Sequence, residues 1–189
     1  MKNKYFNDAI IGNGNMTASY SKNGELLRIS CPNVDYEQFL DFMHFGFKIN
    51  DSKFIFLHED VNNSYKQQYI SHTNILKTEI YNSYFKFRIN QTDFVSHDKN
   101  VLCKRYEFIN ENNFDMNLEF AVISKLLTDI NNQTSGFYKN DILMQYTHDH
   151  IFSIFSPKAM SSYQINGSEE SISTGYIRWQ RLYWNVARL

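Results

Sequence analysis

His148-Asp149-His150 sets two imidazoles two residues apart, on one face if the segment is a strand, where they would begin a grip on a metal ion. A metal site also needs a third protein ligand and an outer shell that orients it. His44, His58, His72 and His97 are scattered and supply no ligand spacing. The triplet therefore reads as a polar turn with exposed histidines, and no metal is expected. Carboxylates come next, since two of them at a set separation act as general acid and general base. Glu59-Asp60 and Glu169-Glu170 are adjacent pairs in segments that read as loops. Acid catalysis needs one carboxyl raised by burial in a closed pocket, whereas a loop carboxylate is ordinarily solvated. No serine sits in a Gly-x-Ser-x-Gly elbow, so nucleophilic hydrolase chemistry has no anchor.

Gly12-Asn13-Gly14 raises a third chemistry, the phosphate cradle of a nucleotide-binding loop. That fingerprint wants a third glycine three residues on and a helix opening at the loop, so that backbone N–H groups meet the pyrophosphate. Thr17 stands there instead, and residues 16–20 and 26–30 are short extended runs around Ser21-Lys22-Asn23-Gly24. Asn-Gly between two such runs signals a β-hairpin, because both residues tolerate positive φ. The glycines are punctuation between strands, and no cofactor is expected.

The elements that must position these residues read as β structure. Sixteen Phe and 13 Tyr accompany only two Pro, mostly in alternating runs that give a sheet one buried and one wet face. Residues 42–49 put Phe45, Phe47 and Ile49 on one face, and Asn50-Asp51-Ser52 turns the chain into 53–57. Runs 75–81, 84–89 and 93–96 form a meander, with Phe85, Phe87 and Ile89 opposite Lys86 and Arg88. Runs 101–109 and 116–127, joined by Asn110-Glu111-Asn112-Asn113, read as antiparallel neighbours in one sheet. Later runs at 142–146, 151–155 and 163–165 are short. Many short strands without intervening helices predict an all-β sandwich of two large antiparallel sheets.

Bulk properties exclude several classes. The 189 residues fit one domain, able to bury about 70% of the surface its unfolded chain exposes. A net charge of -1 gives no field to steer nucleic acid or an anionic membrane. Cys31 and Cys103 form no Cys-x-x-Cys pair and read as two thiols, at least one buried. The start is no signal peptide and no run approaches a membrane span, so the expectation is a cytoplasmic protein. The sandwich is expected over residues 1–175. The stretch 176–189 differs, with Arg178, Arg181, Arg188, Trp179 and Trp184 and no acidic residue. Tyr176, Trp179, Tyr183 and Val186 recur at helical spacing, leaving three readings: a short helix packed on the sandwich, a linker, or a tail foreign to the original reading frame.

Residues 9–39, "AIIGNGNMTASYSKNGELLRISCPNVDYEQF", resemble the start of bacterial glucoamylase-like proteins of glycoside hydrolase family 15. The likeness continues in "FGFKIN" at 45–50, "QQYISHTNILKTEI" at 67–80, "TDFV" at 92–95 and "VLCKRYEFIN" at 101–110, and thins beyond residue 127. It implies a galactose-mutarotase-like supersandwich that precedes an (α/α)6 catalytic barrel, in cis or as a separate chain. The barrel cleaves terminal α-glucosidic bonds with inversion, using two glutamates. Both glutamates belong to the barrel, so no catalytic residue carries over to this chain. The Pro32-Asn33-Val34-Asp35 loop would face the barrel, which makes Asp35, Tyr36 and Gln38 candidates for framing a subsite or holding the domain interface.

The expected function is a non-catalytic domain that supports or orients such a barrel. One alternative is a free-standing module that binds α-glucan oligosaccharides through exposed aromatic residues. Another is a mutarotase-like sugar enzyme, which needs a His and a carboxylate converging in a concave sheet, a pairing the sequence does not show. A face meant for another domain also leaves an exposed apolar patch, so homo-oligomerisation is expected.

Overall fold

In a computed structural model, the described residues are 7–32, 40–50, 52–126, 135–146, 151–158 and 184–185. They are all strand, turn and loop. Strands β1 (Ala9–Gly12), β2 (Thr17–Tyr20) and β3 (Leu26–Ser30) form one antiparallel sheet. A second has the order β14-β10-β4-β5, from β4 (Leu40–Ile49), β5 (Ile55–Phe56), β10 (Leu118–Leu126) and β14 (Trp184–Asn185). A third runs β6-β7-β8-β9, from β6 (Asn63–Tyr69), β7 (Leu76–Asn82), β8 (Phe87–Val95) and β9 (Leu102–Asn110). The hairpins of β11 (Ser135–Lys139), β12 (Ile142–Tyr146) and β13 (Ile151–Phe155) make the fourth.

Alternation sends Met43, Phe45, Phe47 and Ile49 of β4 inward, where all four are buried. On the facing sheet, Leu76 and Ile80 of β7 and Phe87 and Ile89 of β8 do the same. The two layers meet ring to ring. Phe47 stands edge-on to Phe87 with centroids 5.0 Å apart, and Phe120 of β10 meets Phe108 of β9 at 5.3 Å. This face-to-face packing is that of a β-sandwich. At Gly46 the neighbouring β5 segment of the same sheet leaves no room for a side chain, since a Cβ would stand 2.7 Å from the Ile55 carbonyl oxygen and inside the Phe54 ring.

The Gly12-Asn13-Gly14 segment is a turn. Gly14 has φ +87°, and Asn13 Oδ1 accepts the N–H groups of Asn15 (3.0 Å) and Met16 (2.9 Å). Asn13 Nδ2 donates to the carbonyls of Ser96 (2.7 Å) and Lys99 (3.1 Å) in the β8–β9 loop. In the next hairpin only Gly24 has positive φ, so the connection is a wider loop than Asn-Gly implies. Ser21 N–H donates to Glu25 O and Gly24 N–H to Ser21 O, both at 2.9 Å.

Two strand readings need correction. Runs 84–89 and 93–96 are not separate strands. Residues 83–86 turn the chain, with Asn82 Oδ1 accepting from the Tyr84 (3.1 Å) and Phe85 (2.8 Å) N–H groups, and β8 then continues unbroken through the polar Asn90-Gln91-Thr92. Nor are β9 and β10 neighbours. The connection between them crosses from one sheet to the other, and β10 pairs along β4 from Leu118↔Ile49 to Leu126↔Leu40. Asn112 holds that crossing, its Nδ2 donating to Phe85 O at 2.8 Å. Of the stretch 176–189, the described Trp184–Asn185 is extended and pairs with Phe120 and Glu119. No helix among the described residues is long and apolar enough to cross a membrane.

Candidate functional site

A cluster of interior polar groups sits where β2, β8 and β9 meet. The β8–β9 register places Asp93 opposite Lys104 and Gln91 opposite Tyr106, and alternation turns all four inward. Asp93 is fully buried, and Lys104 Nζ donates to its Oδ1 at 2.6 Å. Gln91 Nε2 donates to the other carboxylate oxygen at 2.6 Å and to Gly24 O at 2.9 Å. The ammonium also lies over three rings, 4.7 Å from the Tyr20 centroid, 5.0 Å from Phe45 and 5.8 Å from Tyr106, whose negative faces attract it.

Burial sets the protonation behaviour here. It lowers the Lys104 pKa even though Asp93 pulls the other way. It raises the phenols of Tyr20 and Tyr106 well above the usual tyrosine range, and the Asp93 charge adds to both. Among the described residues the Tyr106 hydroxyl and Gln91 Oε1 are buried without a hydrogen-bond partner. With Lys104 8% exposed and Asp93 0% exposed at the side chain, no substrate-sized group reaches the pair. The cluster can hold a charge inside the sandwich and fix the β2–β3 loop to β8.

Open grooves lie at the surface among the described residues, and two bear on function. One, of about 780 Å³, follows the outer edge of β9 past Arg105, Glu107 and Ile109 toward Phe114 and Lys158. The other, of about 380 Å³, lies beside Phe54, Phe56, Glu59, Asp60, Asn62 and Tyr84. Tyr84 is 73% exposed there, its ring standing edge-on to Phe85 at 4.8 Å. The Glu59-Asp60 pair is partly structural, because Asp60 accepts from the Asn62 N–H and from Asn82 Nδ2, each at 2.9 Å.

The structure also joins residues that sequence spacing leaves apart. Glu25 of the β2–β3 loop lies 3.7 Å from His44 of β4, and His44 stacks on Phe42 at 5.0 Å. Sequence spacing does not show this approach, which the loop conformation creates. His58 is a core histidine, with its Nδ1 2.9 Å from Asn23 O. Cys31 and Cys103 are unpaired and both half-buried, so neither is the buried thiol expected. Among the described residues no three His, Cys, Asp or Glu side chains gather to hold a metal. Asp35, Tyr36 and Gln38, the His148-Asp149-His150 triplet and Glu169-Glu170 lie outside the described residues.

No protein-family profile and no solved structure matches the chain. It is similar to an uncharacterized glycosyl hydrolase of Methanocaldococcus jannaschii, 29% identical over 170 residues, which are 89% of this chain and 27% of that protein. The chain thus spans about a quarter of the length of the curated relative it matches. The similarity and the all-β architecture together fit a glycoside-hydrolase-related domain.

Proposed function

We propose that this chain is the non-catalytic β-sandwich of a glucoamylase-like glycoside hydrolase of family 15, which supports and orients an (α/α)6 barrel that cleaves α-glucosidic bonds. The observation that carries the reading is the similarity, which takes in nearly the whole chain but only a fraction of a glycosyl hydrolase. The ordered matches from Ala9 to Asn110 and the antiparallel sandwich support it. In this reading the loop of Asp35, Tyr36 and Gln38 meets the barrel.

The chain alone is expected to release no glucose from maltose or soluble starch. A chimera in which it replaces the matching part of the Methanocaldococcus jannaschii protein is expected to keep that protein's hydrolytic activity. Glucose release by the isolated chain at an enzymatic rate, on the order of 1 to 10³ per second, would overturn the proposal.

The groove at Tyr84 favours a second reading, a carbohydrate-binding module. An exposed ring beside carboxylate and amide groups suits the apolar face and hydroxyl rim of a sugar. On this reading calorimetry with maltooligosaccharides gives a dissociation constant below about 1 mM, roughly -4 kcal/mol. Tyr84→Ala then weakens binding about tenfold. Absence of heat at millimolar sugar rejects it.

A further inference from the structure

β9 ends its sheet, and among the described residues no strand pairs with its outer edge. Such an edge offers a row of backbone donors and acceptors, and natural proteins commonly guard it with charge. Here the guard is self-complementary. The outward face of β9 carries Cys103, Arg105, Glu107 and Ile109 in sequence, so an apolar residue flanks each side of an opposite-charge pair. We infer that a second copy of this chain pairs antiparallel with the β9 edge about a two-fold axis at Tyr106, continuing the sheet across a symmetric dimer.

Register decides which arrangement is allowed. A continuous sheet places like faces opposite each other, so the pairing can slip only by two residues along the partner. With the axis at Tyr106, Arg105 faces the partner's Glu107 and Cys103 faces the partner's Ile109. Moving the axis to residue 105 or 107 sets Arg105 against Arg105 or Glu107 against Glu107, and like charges directly opposite are destabilising. The neighbouring strand supports the favoured register. Phe94, 37% exposed, lies across from Cys103, which extends the apolar row toward the partner's Ile109. Asn90 Nδ2 donates to Glu107 Oε2 at 3.1 Å, holding that carboxylate on the outer face. Among the described residues Arg105, Glu107 and Ile109 are exposed and border an open groove. Because each contact occurs twice, the assembly closes as a dimer rather than a fibre.

The inference is independent of the proposed function, and analytical ultracentrifugation of the full chain tests it. The wild type is expected to sediment as a concentration-dependent dimer. Arg105→Glu sets Glu against Glu on both sides of the axis and weakens association about tenfold or more, while Arg105→Glu with Glu107→Arg restores it. In a Cys31→Ser background, Ile109→Cys places a thiol opposite the partner's Cys103, and oxidation is expected to yield a covalent dimer. A monomeric wild type, a dimer indifferent to Arg105→Glu, or a charge reversal that does not recover association overturns the inference. So does an oxidised Ile109→Cys chain that stays monomeric.

Discussion

Lys104→Met is expected to destabilise the protein by about 3 to 5 kcal/mol, because it leaves the Asp93 carboxylate buried without its cation. Gln91 Nε2 still donates to Asp93, which limits the loss. The double variant Asp93→Leu with Lys104→Met removes both charges and is expected to recover most of it, since a buried pair is often no more stabilising than apolar side chains of similar volume. Urea unfolding of the two single variants and the double variant measures the coupling. Equal losses in the single Lys104→Met and the double variant would refute the account.

The same cluster sets an alkaline signature. The lowered Lys104 pKa means that the unfolded chain binds more protons between that value and about 10.4, so this group's contribution makes stability rise with pH through that window. Tyr20 and Tyr106, raised well above 10.0, act oppositely. Above about pH 10 the unfolded tyrosines lose protons that the folded ones keep, and stability falls.

Phe47→Ala is the second large effect, with an expected cost of about 3 to 5 kcal/mol. Phe47 is fully buried at the centre of β4, between its pairing with Phe120 and its edge-on contact with Phe87. Removing the ring opens a cavity at the junction of both layers, and close-packed β-strands collapse into it poorly. Against a typical domain stability of about 5 to 15 kcal/mol, that is a large fraction. Phe155→Ala is the control. At 66% exposed, it is expected to shift stability by no more than about 0.5 kcal/mol. Comparable urea midpoints for the two variants would contradict the placement of the core.

Legibility followed the apolar pattern. Strands β12 and β13 begin and end where the apolar runs do, and the inward row of β4 is written plainly as Phe45, Phe47 and Ile49. The pattern fails where the interior is polar. Gln91 and Asp93 occupy inward positions of β8 because Lys104 and Gly24 satisfy them, and a rule that equates inward with apolar breaks the strand there. It also fails on β6, a sheet-edge strand whose Ser64, Lys66, Gln68 and Tyr69 are exposed and whose composition is mostly polar. The pairing of Glu25 with His44 was illegible for another reason. It depends on a loop conformation, and hydrophobic periodicity carries no information about loops. The groove at Tyr84 likewise comes from two turns, 57–62 and 83–86, brought together by the fold.

The Asn13 turn has a consequence for the order in which the molecule assembles. Its bonds to Ser96 and Lys99 join chain segments 83 and 86 residues apart, whereas the β1–β2 and β8–β9 hairpins that carry the two loops are local. Local hairpins form before distant ones meet, because closing a long loop costs entropy before any contact rewards it. Asn13 therefore acts as a late clasp. It slows the opening of the finished sandwich more than it speeds its formation.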